Sequence, residues 1–423
     1  MKINASFFIA IRYLWGRARE GVRYLRGAAA GIAVSLIPII VTLIVADGMI
    51  RGITDRYLEL GTGHLQVYDL YDFDDTETTI NLIKEIDGVR GVWPERRGMG
   101  ILAGRGGNTK KTGVTVRSIE SSFWDDPGSA NLLKIIDGVH KPETARDIIL
   151  GETLAGNIGV RVGDDVRLMT IILEGGRISP RPAVFTVSGI LSCGYNELDA
   201  LWCIVSWEGG ERVITSDHAS SSFIVKINDP YKKADEIAMK LHEKLSSGYS
   251  IQTWKEILRS QYSSYETTRQ LLLFIMALIV IVAAVNVSSA TSMLVLERQK
   301  DIAVLKVSGA RVSGITEIFL LGSFLTGLVG SIIGISLGLL IGVNINFLVR
   351  SLENILSFFS GLFNGGDVKI LDPGFYLETI PIIIDWNTVF MIGLFAIICS
   401  VVASWIPAIR AGRLKPMDLL RKT

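Results

Sequence analysis

The sequence predicts an α-helical membrane protein with four transmembrane helices and a large α+β extracytoplasmic domain between helices 1 and 2. Three observations predict it. Hydrophobic residues make up 49% of the 423, and the excess is gathered into four blocks instead of being spread along the chain. Each block is long enough to cross a bilayer as a helix, which takes about 20 residues. The long stretch between the first two blocks has the mixed composition of an ordinary α+β domain.

The blocks are 28–50, 271–296, 315–347 and 388–409. The third is the longest and must tilt or project past the bilayer. Basic residues precede the first, as in a secretory signal. Its apolar stretch is too long for a signal, however, and no small-residue cleavage site follows, so it reads as a retained anchor. Lys2, Arg12, Arg17, Arg19, Arg23 and Arg26 precede the first block; Arg298, Lys300, Lys306 and Arg311 lie between the second and third; Arg410, Arg413, Lys415, Arg421 and Lys422 follow the fourth. This bias places 1–27, 297–314 and 410–423 in the cytoplasm, both termini included, and 51–270 and 348–387 outside. The expected location is the inner membrane, crossed several times.

Within the exported segment, 49–60 continues the first helix until Gly61 and Gly63 stop it. A strand is predicted at 64–68, an amphipathic helix at 78–86 and a short strand at 89–92. Near the far end, 223–227 alternates as a strand does, and 231–245 carries Ala234, Ile237, Ala238, Leu241 and Leu245 at helical spacing. These flanks predict one α/β subdomain, with 110–206 as a β-rich insertion. A polar helix over 254–270 leads into the second block, giving two helical stalks.

The sequence excludes several functions. Lys and Arg number 43 against 42 Asp and Glu, which gives no reason to expect a nucleic-acid partner. No GxxxxGK[ST] loop is present, and the glycine-rich basic stretch 104–112 lacks its order and reads as a surface loop. His64, His140, His218 and His242 are scattered without ligand spacing, so no metal site is expected. Ser188 lies in no nucleophile elbow, and no enzyme is predicted. Three cysteines make no disulfide framework, although the short separation of Cys193 and Cys203 leaves one bridge open to them. Cys399 reads as an inert packing residue in an apolar helix.

The membrane blocks carry their own pattern. Gly330, Gly334, Gly338 and Gly342 recur every four residues, and Gly322 and Thr326 extend the ridge, a surface on which another helix can approach closely. Asn286, Ser288, Ser289, Thr291 and Ser292 in the second block are predicted to face protein or a water-filled cavity. The connector Glu297–Ala310 is charged at its start and amphipathic after it. As a helix along the membrane face it would hold Ile302, Leu305 and Lys306 on one side and end at Gly309.

ERQKDIAVLKVSGA, placed between a span and a glycine-rich span, resembles the permeases of ABC transporters of the LolC/LolE, MacB and FtsX kind. Further segments resemble the lipoprotein-releasing LolC/LolE branch: FFIAIRYL at the start, GETLAGNIGVRVGDDVRLM and FTVSGILSCGYNELDALW in the exported domain, and WIPAIRAGRLKPMDLLRKT at the end. In this last segment Pro407, Ala408, Arg410, Ala411, Pro416 and Leu420 match the branch's tail. The resemblance runs along essentially the whole chain. It departs at Gly21 and Tyr24, where the family has a denser arginine run, and at 104–111, which has no counterpart.

The resemblance implies that two permease subunits, alike or different, pair with two copies of a separate LolD-like cytoplasmic ABC ATPase. That ATPase uses the ATP and Mg, and this chain binds no cofactor itself. Glu297, Lys300, Asp301, Ile302, Leu305, Lys306, Gly309 and Ala310 would form the coupling helix that docks into the ATPase. A lipoprotein substrate would enter from the outer leaflet between spans one and two. Leu43, Ala46, Met49, Ile50, Phe274 and Leu278 are the candidate cavity positions, ahead of transfer to a LolA-like periplasmic carrier. Two other readings stand beside this one. The first is a MacB-like exporter, although that branch usually fuses its ATPase ahead of span one, where only 27 residues lie here. The second is an FtsX-like mechanotransmission protein that activates a cell-wall hydrolase without transport.

Overall fold

The computed structural model describes residues 21–69, 76–104, 110–174, 177–214, 220–245, 248–362, 377 and 379–414. The amphipathic start FFIAIRYL, most of the glycine-rich stretch after Gly104, His218, and the tail with Pro416 and Leu420 lie outside them. The chain divides into a membrane unit, formed by 1–48, 266–367 and 380–423, and an extramembrane unit, formed by 49–265 and 368–379.

Four helices of the described residues are long and apolar enough to cross a membrane. Span one is Gly21–Arg56, extended by a widened π turn over Tyr57–Thr62. Span two is Arg259–Glu297, span three Val312–Val343 and span four Trp386–Ala403, continued after Ser404 by Trp405–Arg413. At a rise of about 1.5 Å per residue, span two is roughly 58 Å long, about twice the hydrocarbon core. It therefore includes the polar stalk that precedes its apolar part.

The glycine ridge of span three packs on span one. A Cβ added at Gly330 would sit 2.8 Å from the Ala29 carbonyl oxygen, one at Gly334 2.8 Å from that of Ala33, and one at Gly338 2.8 Å from the Ile40 Cβ. Gly342 abuts Ile44 in the same way. In a bilayer the surrounding acyl chains are as apolar as leucine, so helices associate through close backbone contact, which these glycines permit. The ridge has an end: nothing lies within 4 Å of a Cβ at Gly322, and Gly327 faces Ser400 of span four instead. Lower in the bundle, the Thr291 hydroxyl lies 3.2 Å from those of Ser323 and Ser404, and Ser400 donates to the Ser323 carbonyl at 3.0 Å. This knot joins spans two, three and four. Of the polar residues in span two only Thr291 enters it; Asn286, Ser289 and Ser292 are exposed.

Beyond span three the structure departs from the sequence reading. The apolar run breaks at Asn344, and Ile345–Leu362 forms a separate amphipathic helix where a loop was expected. Its polar residues recur at helical spacing, which marks it as a surface helix and not an extension of the span.

The described residues of the extramembrane unit hold ten strands: β1 Leu65–Asp69, β2 Val89–Gly104, β3 Lys111–Ile119, β4 Lys134–Gly138, β5 Asp147–Gly151, β6 Asp165–Glu174, β7 Arg177–Ser192, β8 Trp202–Val205, β9 Ser220–Ile227 and β10 Tyr249–Thr253. Their order is β10-β1-β9-β2-β3-β8-β5-β7-β4, and β6 pairs with both β2 and β7. The path β2-β3-β8-β5-β7-β6 therefore returns to β2 and closes a six-stranded barrel. Its interior is filled by Leu102, Val116, Leu150, Leu168, Val187 and Val205 among others. From β2 the strands β9, β1 and β10 continue as an open layer, covered by the helices Thr76–Lys84 and Pro230–Lys244, while β4 flanks β7. The β-rich part thus begins inside β2, not at 110. One 16-residue strand pairs with β9 over its first half and with β6 over its second.

Closure of the barrel also settles the cysteines. Side chains alternate along β8, so Cys203 and Val205 point into the barrel while Trp202 and Ile204 point out. Cys193 packs on the outside with Trp202 and Tyr195. Both thiols are free and buried, and the bridge left open by the sequence does not form because the barrel wall stands between them.

Gly334→Leu is expected to force spans one and three apart and cost about 1–3 kcal/mol, read as a lower thermal midpoint in detergent. Gly322→Ala, with open space around the new Cβ, should leave that midpoint unchanged.

Candidate functional site

The connector between spans two and three folds as a helix, Gln299–Val307. Its end is a Schellman motif: the Gly309 N–H bonds the Lys306 carbonyl at 3.0 Å and the Ala310 N–H that of Leu305 at 2.9 Å, with Gly309 left-handed at φ 93°. Ile302 and Ala303 are buried, Ile302 against Leu25, Leu294, Ile315, Phe319 and Ala411. The inner face is therefore spent on holding the connector to spans one, two and three and to the helix after span four.

The structure sorts the predicted coupling residues. Lys300, Asp301 and Gly309 are exposed; Glu297, Leu305, Lys306 and Ala310 are half-buried; Ile302 belongs to the core. Lys306 does not point outward: its Nζ donates to the carbonyl of Leu414, at the end of the helix Trp405–Arg413. A cation there also offsets the negative end of that helix's dipole. Asp301 pairs with Arg298 at 3.1 Å. Two residues not singled out in the sequence complete the outer face, Val304 at 64% and Val307 at 72% exposure. Their three-residue spacing, out of phase with Ile302 and Leu305, is the signal that could have found them.

The six cavity positions do not share one surface. Leu43 is buried in the bundle core beside Met276 and Val280, Ala46 and Ile50 are half-buried, and Met49 packs near Ile53 and Tyr195. Phe274 and Leu278 are exposed on span two, at 63% and 47%. Among the described residues no three His, Cys, Asp or Glu side chains converge as metal ligands.

In the extramembrane unit, the end of the span-one helix is held by charges that no local sequence pattern groups. Glu95 on β2 is fully buried. Its Oε1 accepts from Arg117 Nε at 2.5 Å, and its Oε2 from Arg97 Nη2 at 2.8 Å. Both guanidiniums then reach the terminal carbonyls of the helix: Arg117 donates to Leu60 O, and Arg97 to Gly61 O at 2.9 Å. Those carbonyls have no partners within the helix, so the arginines satisfy them and add favourable charge. Burial pulls the Arg117 pKa down, and the Glu95 carboxylate opposes that shift.

A second group fixes Glu59, the residue just before Leu60. Its carboxylate pairs with Arg90 at 2.8 Å, with His64 at 3.1 Å and with the fully buried Lys226 at 3.1 Å. Lys226 also binds Asp126 at 2.8 Å and the Ser129 hydroxyl at 2.5 Å. Because His64 Nδ1 accepts the Ile227 N–H at 2.8 Å, its proton sits on Nε2 and is donated to Glu59. Arg56 Nε donates to the Cys193 carbonyl at 2.6 Å, and Tyr231 to Asp55 at 2.5 Å. The stalk from Asp55 to Gly61 is thus tied to both the barrel and the open layer.

Two family descriptions match the chain: a MacB-like periplasmic core domain over residues 27–242 and an FtsX-like permease C-terminal region over 273–416. The chain therefore belongs to the MacB/FtsX-type permeases, and it is a multi-pass inner-membrane protein. It is 28% identical to the lipoprotein-releasing system transmembrane protein LolC of Xylella fastidiosa, with 98% of each chain covered. To the LolC of Neisseria meningitidis serogroup B it is 26% identical, again over 98% of each, and to the LolE of Haemophilus influenzae 25% identical over 99% of each.

Glu95→Gln removes the anion that faces the buried Arg117 and the half-buried Arg97, and the expected loss is about 3–5 kcal/mol of extramembrane-unit stability. Urea unfolding of the full chain, followed by tryptophan emission, measures it.

Proposed function

We propose that this chain is a permease subunit of an ATP-driven transporter. It extracts lipidated proteins from the outer leaflet of the inner membrane and passes them to a periplasmic carrier. Both termini and the connector lie in the cytoplasm, in keeping with the Lys and Arg around them. ATP and Mg are used by a separate ABC ATPase that binds the connector's outer face, and a second permease subunit completes the assembly. The observation that carries this reading is end-to-end similarity to proteins named LolC and LolE, beside the family matches over residues 27–242 and 273–416.

The geometry supports a mechanical role for the chain's residues. An apolar pair, Val304 and Val307, flanked by Lys300 and Asp301, suits a groove that takes a short helix. Ile302 makes the connector part of the bundle, so a push on its outer face moves the spans with it. Span one's helix continues unbroken to the arginine-held end at Leu60 and Gly61. Displacement of that helix would therefore be delivered to the barrel.

Proteoliposomes holding this chain, its ATPase and a lipidated substrate are expected to release the substrate only when ATP and a carrier are both added. ATPase activity stimulated by a cell-wall hydrolase, without release, would favour mechanotransmission instead, and full activity without any ATPase would end the proposal. Val304→Asp with Val307→Asp should reduce ATPase co-purification at least tenfold while the permease still folds. Lys306→Ala, which alters an internal contact, should instead lower stability with less effect on association.

A further inference from the structure

In the helix Ile345–Leu362, none of residues 345–360 is buried. Leu348, Leu352, Ile355 and Phe359 fall at i, i+4, i+7 and i+11 and form one continuous stripe, 41–57% exposed, with Phe358 flanking it at 69%. Arg350, Glu353, Asn354 and Ser357 occupy the other side. An 18-residue helix is marginal by itself in water, so this stripe requires a cover.

Three contacts within the membrane unit fix the height at which the helix begins. Asn346 pairs with the backbone of Ile380 in both directions, at 2.9 and 3.0 Å, as a strand neighbour would. Ile380 lies just ahead of Trp386, which opens span four and is 64% exposed, and tryptophan favours the membrane–water boundary. At the same level Arg269 pairs with Asp47 at 2.9 Å and with Asp385 at 3.2 Å. Three charges gathered across spans one, two and four mark where the apolar core of the bundle ends. The helix therefore starts at the bilayer surface on the side away from the connector.

We propose that Ile345–Leu362 is a membrane-surface helix whose Leu/Ile/Phe stripe inserts at the headgroup–acyl boundary of phospholipids. The occupant follows from position and charge: the stripe begins where the lipid surface lies, and the helix carries only Arg350 and Glu353 as charged residues. Most surface helices add basic residues that attract anionic lipids. Here the two charges cancel, so attachment comes from apolar area alone and is indifferent to lipid charge.

The full chain, its three native cysteines replaced by alanine, would be spin-labelled singly at Ile355→Cys, Phe359→Cys, Asn354→Cys and Ser357→Cys in phosphatidylcholine nanodiscs. Collision with oxygen should dominate at 355 and 359, and collision with a water-soluble nickel chelate at 354 and 357. The pattern should persist when a third of the lipid is phosphatidylglycerol. Four water-accessible labels would overturn the proposal. So would labels at 355 and 359 closed to both reagents, the result expected if a second copy or another protein covers the stripe. A measurement without variants uses the native chain with a diazirine-bearing phospholipid: adducts should map to 348–359, and their absence counts against the proposal.

Discussion

One buried carboxylate holds the architecture together. Glu95 lets the half-buried Arg97 and the buried Arg117 stand side by side, and these in turn close the end of the span-one helix. A buried ion pair is a weak source of net stability, because desolvation offsets most of the attraction. What it supplies here is direction. Each guanidinium has a fixed planar fork, so the terminal carbonyls of Leu60 and Gly61 can be met in only one orientation, whereas a hydrophobic contact at the same place would tolerate rotation. The tertiary contacts of Glu59 with Lys226, His64 and Arg90 repeat this logic at the neighbouring residue.

The membrane unit solves a different problem with different chemistry. No hydrophobic driving force separates helix from lipid, so close backbone approach and a few shared hydroxyls do the holding. The ridge Gly330–Gly342 lies against span one, and Thr291, Ser323, Ser400 and Ser404 join the other three spans. The connector rests on this bundle through Ile302 and Ala303, leaving its valines outward.

The four spans were legible because twenty apolar residues in a row admit few alternatives. The every-fourth glycine showed a packing surface, but not that span one would occupy it. In the connector, helical spacing put Ile302, Leu305 and Lys306 on one side, but did not say what that side meets. The Leu414 carbonyl that accepts from Lys306 lies 108 residues away and belongs to another helix, so nothing nearby in the chain points to it. The barrel stayed hidden for the same reason: closure depends on β6 meeting β2 and β3 meeting β8, pairings that no local pattern announces. Glu95 and Lys226 looked like ordinary strand charges. Only the period-2 alternation of FIVKI, which sets Lys226 apart from its inward apolar neighbours, hinted at a buried cation.

Among the described residues, ring closure leaves the sheet two free borders, β10 at one extreme and β4 at the other. Unpaired borders invite other chains to add strands, and proteins blunt them by shortness and charge. Both borders are five residues long, and β4 places Lys134 and Asp137 around its exposed Ile135 and Ile136. Each border is thereby guarded against pairing edge to edge with another sheet.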